Sequence, residues 1–215
     1  WQVKDLLPFP VAEAVLDYEV IEEVWEKDIK KLSVVVAAVP RRVIQEQIAL
    51  IAQAGATVIS ITPTALAILR TFQALSPERL TASVAIIEIG AARTHVVIVK
   101  EGHLRLARDL PIGSAEITRA LAGVSPGGQG VPFDAAKAER VKRHVGIPTE
   151  NLEALTDEGV SLGQLAALIH VVLDKLMTDL RRILDFYQVH LHEGNVERLL
   201  VVGGGADLKH LPNVL

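Results

Sequence analysis

The sequence predicts an α/β fold, and three observations carry the prediction. Short apolar, β-rich runs alternate with helical patterns between residues 32 and 75. Three further β-rich runs lie close together between 84 and 110, joined by short turns. A long helical pattern over 162–188 is followed by one more apolar run and three consecutive glycines. Strand–helix–strand–helix alternation marks an α/β layer, and closely spaced β-rich runs mark hairpins.

Each element has its own warrant. Val15–Glu26 is β-branched and aromatic, with Leu16, Tyr18 and Val20 on one face and Asp17 and Glu19 on the other, so it reads as a half-buried strand. Leu32–Val39 is almost wholly apolar, as a strand covered on both faces would be. Pro40 opens a helix over 41–54, with Ile44, Ile48 and Ile51 as its apolar stripe and Gly55 at the position after its end. Thr57–Ile61 reads as another buried strand, and Pro63 starts a second helix over 64–75. Ser76-Pro77-Glu78 is the boundary candidate.

Beyond it, strands are expected at 84–88, 95–100 and 103–110, the last two joined by a Glu101-Gly102 turn. Ser114 is placed as the N-cap of the next helix. Gly123–Gly130 is loop by composition, and 133–144 is a short helix of mixed charge. Leu165, Ile169, Val172, Leu176, Leu180, Ile183 and Tyr187 recur at helical spacing and form one buried stripe on the long helix. Leu199–Val202 reads as a short buried strand.

Composition narrows the function classes. With 215 residues, half of them hydrophobic, the chain has material for one large or two small domains. The mean hydropathy of +0.33 is high, yet no apolar run approaches the ~18 residues of a membrane span. A net charge of −4 and a pI near 6.0 provide no basic field for nucleic acid. The chain has no cysteine, which excludes disulfides and cysteine zinc sites. It starts at Trp1 and ends on the apolar Leu211–Leu215, and so reads as an internal piece of a longer protein.

Three motifs carry chemistry. Glu88-Ile89-Gly90-Ala91-Ala92-Arg93-Thr94 is a small-residue loop between two strands, with a carboxylate at its start and a hydroxyl at its end. Such a loop lets backbone N–H groups approach a phosphorylated ligand and its metal ion; a hairpin with a bulge has the same pattern. Glu139 and Lys142 share a helix face three residues apart, suited to ribose hydroxyls and to a phosphate or purine, or equally to a solvated ion pair. Gly203-Gly204-Gly205 follows a strand and lets the chain pass close to a flat ligand, or simply turn. His190 and His192 lack companion ligands for a metal and read as a solvated helix end. Ser60 and Ser114 lack a nucleophile-elbow pattern.

The order of these motifs resembles the actin-like ATPase (ribonuclease H-like) superfamily. Leu7-Pro8-Phe9-Pro10, Leu16-Asp17-Tyr18, Leu110-Pro111-Ile112-Gly113, Asp185-Phe186-Tyr187 and Val202-Gly203-Gly204-Gly205-Ala206 look like the PilM family of type IV pilus assembly, relatives of the cell-division protein FtsA. The resemblance implies an N-terminally truncated actin-like fold. Residues 1 to about 55 would form an inserted 1C-type α+β subdomain, and residues to 78 the remainder of the first half. Residues 79–215 would form the second half, with a small outer subdomain around 123–160.

It implies ATP and Mg2+ as cofactors, bound in the cleft between halves. Gly90, Ala91, Ala92, Arg93 and Thr94 would hold phosphates, Glu139 and Lys142 the ribose and base side, and Gly203, Gly204 and Gly205 the adenosine. Glu88 would face magnesium through water. The family's first phosphate loop is not in this chain, Glu88 stands where Asp is usual, and Thr62 stands where hydrolysing relatives place a water-positioning group. The implied protein is therefore an adaptor that binds ATP and hydrolyses it slowly or not at all. Its partner would be the N-terminal cytoplasmic peptide of the membrane protein PilN, at the inner face of the inner membrane and without insertion. Asp17, Glu19, Glu22 and Glu23 are the acidic candidates for that peptide, within a cluster that also contains Glu26 and Asp28; an ordinary solvated strand face is the competing reading. The rivals are an FtsA-like or secretion-system relative and a phosphotransferase of the same fold, for which Ile59-Ser60-Ile61-Thr62 offers no catalytic Asp.

Overall fold

Apolar periodicity and two-residue turns set most of the element boundaries in the computed structural model, which describes residues 7–76, 81–192 and 194–214. Trp1, the boundary residues Pro77 and Glu78, Leu215 and the side chain of Glu26 lie outside the described residues. The chain divides into two compact units, residues 1–67 and 68–215.

In the first unit, β1 (Ala14–Glu26) and β2 (Ile29–Pro40) form a two-stranded antiparallel sheet. Lys27 and Asp28 join them, both with positive φ as a tight I′-type turn requires. Between Val20 and Glu22 the register slips by one residue. That bulge at Ile21 moves Glu22 onto the face of Asp17 and Glu19, and Glu23 onto the opposite face with Tyr18 and Val20. Helix α1 (Arg41–Gln53) follows, and Gly55 after it has φ +77°.

Two expectations fail in this unit. β2 is not covered on both faces: among the described residues it pairs only with β1, and Leu32 is 56% exposed. Thr57–Ile61 is not a strand, and Ile59 is 96% exposed. An apolar run becomes a strand only where a neighbouring ladder accepts its backbone bonds, and this run is in none among the described residues. The α/β alternation expected over 32–75 is thus a hairpin and two helices, α1 and α2 (Thr64–Leu75).

The second unit begins inside α2, where Leu69 and Phe72 are buried and Gln73 Nε2 donates to Gly102 O at 2.8 Å. Its sheet has the order β5–β4–β3–β6, from β3 (Val84–Ile89), β4 (Thr94–Lys100), β5 (His103–Leu110) and β6 (Arg198–Val202). The first three are antiparallel, and β6 runs parallel to β3, with Val84 opposite Arg198 and Glu88 opposite Val202. The Glu101-Gly102 turn has positive φ at both residues, as expected.

Ala85, Ile87, Ile89, Val96 and Ile98 point into the main core, while Val84, Ile86, Val97 and Val99 are buried on the other face. Helix α3 (Ser114–Leu121) contributes Ile117 and Leu121 to the core, α4 (Ala135–Val145) Ala138 and Val141, and α5 (Leu162–Asp185) its long stripe. The stripe runs through Leu173 rather than Val172, which is only half-buried, and ends on Tyr187, whose hydroxyl lies 3.0 Å from Ser83 Oγ. β6 is not the buried strand expected: Leu199 is 44% exposed, because among the described residues β6 is an edge strand with one neighbour.

Candidate functional site

Strand β3 carries the chain to the end of the sheet, and there Gly90 turns it back into β4. The Gly90 N–H donates to Arg93 O at 2.9 Å and closes the turn. Ala91, Ala92 and Arg93 are exposed at its tip. Thr94 is fully buried, and its hydroxyl donates inward to Ile112 O at 2.7 Å, bracing the loop.

Helix α3 starts against this loop. Its first amides, on Ser114 and Ala115, donate to Gly90 O and Ala91 O, each at 2.9 Å. Those carbonyls replace a side-chain cap, so the N-cap is Gly113 and not Ser114. A Cβ on Gly113 would sit 2.4 Å from Ala91 O and 2.7 Å from Arg93 N. Only a glycine lets the helix and the loop come this close.

Asp134 caps α4 by accepting from Lys137 N at 2.7 Å. One helical turn of α4 then presents Glu139, Lys142 and Arg143. Lys142 Nζ lies 2.6 Å from Glu139 Oε2 and also donates to Thr118 Oγ1 at 2.9 Å and Ser114 O at 3.2 Å. Thr118 in turn donates to Glu139 Oε2 at 2.5 Å. Arg143 Nε donates to Glu139 Oε1 at 2.8 Å. The Lys142 side chain is only 8% exposed, against 34% for Glu139 and 79% for Arg143. Burial pulls the Glu139 carboxyl upward, but the hydrogen bonds from Lys142, Thr118 and Arg143 outweigh it and hold its pKa at about 2.

The glycine run after β6 passes the end of β3. Gly203 has φ +86°, and a Cβ there would meet Glu88 Oε1 at 2.6 Å. A Cβ on Gly205 would meet Ile89 Cγ2 at 2.3 Å, and Gly205 N–H donates to Ile89 O at 2.7 Å. Gly204 faces open space.

These segments enclose an open cavity of about 710 Å³, lined by Ala91, Glu139, Lys142, Gly204 and Gly205 together with Ser114, Ala115, Arg143, Asp207 and Leu208. All three motifs singled out in the sequence therefore contribute to one cavity, of a size that suits a drug-sized or nucleotide-sized ligand. Gly90, Ala92, Arg93, Thr94 and Gly203 do not line it. Glu88 does not line it either. Its carboxylate lies against Gly203 and 3.8 Å from His95 Nε2, while His95 Nδ1 is 2.6 Å from Asp109 Oδ1. Among the described residues, no group of three or more His, Asp or Glu side chains is placed to hold a metal ion. His190 stacks on Phe186 with ring centroids 5.0 Å apart.

The acidic candidates lie in the first unit. Asp17 and Glu19 are exposed and Glu22 is half-buried, while Glu23 forms an ion pair with Lys30 at 2.7 Å.

Gly113, Thr118, Arg143 and Asp207 escape the sequence reading. Arg143 is one turn beyond Glu139, a spacing that does mark a partner. Thr118 and Gly113 carry no such signal, because only the packing of α3 on α4 and on the loop gives them their roles.

The antiparallel β5–β4–β3 meander with a parallel β6, and a cavity at the strand ends between a glycine turn and a glycine run, define an actin-like ATPase fold. MreB5 of Spiroplasma citri bound to ADP has this fold, with a TM-score of 0.59 at 16% identity over 79% of the chain and 56% of MreB5. The same protein bound to AMPPNP also scores 0.59. A chain of the PilM-PilN type IV pilus biogenesis complex matches with a TM-score of 0.77 at 24% identity, over 100% of this chain and 56% of that one. The family profile described as type IV pilus assembly protein PilM matches residues 1–215, and the chain belongs to that family. It spans little more than half the length of these two solved chains. Among curated proteins it has no match. No described helix is long and apolar enough to cross a membrane.

Proposed function

We propose that this protein is an ATP-binding adaptor of type IV pilus assembly that works on the cytoplasmic side of the inner membrane and binds the N-terminal cytoplasmic peptide of PilN. The observation that carries the nucleotide reading is the convergence of Ala91, Glu139 and Gly204–Gly205 on one open cavity. The residues fit the ligand. Glu139 is ionised and offers an acceptor oxygen for ribose. Gly204 adds no side chain where a flat base must lie. Ala91 at the exposed turn leaves room for phosphates. Lys142 spends its donors on Ser114, Thr118 and Glu139, so its role is to hold Glu139 rather than to touch the ligand.

Bound magnesium would neutralise phosphate charge. With no protein cage of carboxylates among the described residues, and with Glu88 outside the cavity lining, it would be held mainly by phosphate and water. MreB5, of the same fold, has been crystallised with ADP and with AMPPNP, which supports the reading. The PilM-PilN complex supports the partner. The role of ATP is regulatory: its binding changes the affinity for the peptide, and the peptide changes the affinity for ATP by the same factor.

Calorimetry on the full-length protein tests this. ATP with magnesium binds, and the PilN peptide then binds with an affinity different from that in the absence of nucleotide. Turnover stays below about 0.1 per second, under the range of typical enzymes. Absence of ATP binding, or faster turnover, rejects the reading.

A further inference from the structure

Glu139 has few acceptor sites left. An ionised carboxylate offers about four. Thr118 at 2.5 Å and Lys142 at 2.6 Å fill those of Oε2, and Arg143 at 2.8 Å takes one of the two on Oε1. A ribose presents two adjacent hydroxyls. Both cannot be accepted while all three donors stay.

The three donors differ in what their removal costs. Lys142 is buried, and its ammonium is shared among Glu139, Thr118 and Ser114. Pulling it away leaves a charge and a hydroxyl unsatisfied inside the protein. Arg143 is 79% exposed, so water solvates it as soon as it leaves. An exposed pair four residues apart on a helix shifts an equilibrium only about twofold, whereas a hydrogen bond from a hydroxyl to a carboxylate is of the strong, charge-assisted kind. Asp207 lines the same cavity and acts on Arg143 electrostatically, so the released guanidinium has a second carboxylate beside it.

We propose that Arg143 is a displaceable cap on the ribose-reading oxygen of Glu139: nucleotide binding exchanges the Arg143–Glu139 pair for hydrogen bonds from the ribose diol. Arg143 then sets how strongly the site discriminates ribonucleotides from deoxyribonucleotides. The inference rests on the nucleotide reading above and adds a specificity determinant to it.

The test measures Kd for ATP, 2′-deoxy-ATP and 3′-deoxy-ATP, each with magnesium, on the full-length protein and its Arg143→Ala and Arg143→Gln variants. Arg143 is exposed and outside the core, so both variants fold. A deoxynucleotide leaves Arg143 in place, whereas ATP must displace it. The ratio of deoxy to ribo Kd therefore rises about twofold in both variants. An unchanged ratio with all three ligands weakened together makes Arg143 an ordinary contact residue and overturns the proposal. A lower ratio makes Arg143 itself the ribose reader and also overturns it. Failure of the unsubstituted protein to bind any of the three rejects the nucleotide reading, and the proposal with it.

Discussion

Thr118 on α3 donates to Glu139 on α4 at 2.5 Å and accepts from Lys142 at 2.9 Å, so one hydroxyl joins both members of an ion pair across two helices. This closed triangle orients Glu139 toward the cavity, and its strength is open to measurement. Lys142→Met removes the buried ammonium and leaves Thr118 and Ser114 O without their donor. We expect a loss of about 1–3 kcal/mol in urea unfolding; on the proposed function, ATP binding also weakens because Glu139 is no longer held. A variant as stable as the parent contradicts the assignment.

The same triangle fixes an acid dependence. The Glu139 carboxyl has a pKa of about 2 in the folded chain, against about 4.3 for an unperturbed glutamate. A depressed folded-state pKa adds stability that is present above the unfolded value and disappears as pH falls through the folded one. Glu139→Gln therefore reduces the loss of thermal stability between about pH 4.3 and about pH 2 relative to the parent. Parallel melting-temperature profiles over that window would show that the pairing contributes nothing.

Gly113 and the loop tip make a steric prediction. The methyl of Gly113→Ala would lie 2.4 Å from Ala91 O. Loop and helix must separate, breaking the bonds from Ser114 and Ala115 amides to Gly90 and Ala91 carbonyls. A destabilisation of about 1–3 kcal/mol follows, as for overpacking in a core, read as a lower melting temperature.

Adjacent glycines of the final run should behave differently. Gly205→Ala drives a methyl into Ile89, at 2.3 Å, and destabilises the sheet end. Gly204→Ala meets nothing within 4 Å and leaves stability unchanged, but it narrows the cavity and, on the proposed function, weakens ATP binding roughly tenfold. Equal melting temperatures for the two variants would be the contrary result.

On β1 the bulge separates acids that look equivalent in sequence. On the proposed function, reversing Glu19 and Glu22 to Lys weakens binding of the PilN peptide and flattens its salt dependence. Reversing Glu23, which is on the other face, has a much smaller effect. Titrations at two ionic strengths separate the cases.

The sequence by itself determined what repeats locally. The stripe on α5, the positive-φ turn at Glu101-Gly102 and the three motifs around Gly90, Glu139 and Gly203–Gly205 are legible because helical period, turn chemistry and glycine usage are properties of neighbouring residues. Only the tertiary structure decided what depends on distant backbone. Thr57–Ile61 has the composition of a strand but no ladder to join among the described residues. β6 looks buried and is an edge. One bulge reassigns the faces of Glu22 and Glu23. The partners of Lys142 include Thr118 and Ser114, 24 and 28 residues away in sequence, which no local pattern announces. A side chain's chemistry is written in its own identity, but its free valences are settled by whatever the fold brings against it.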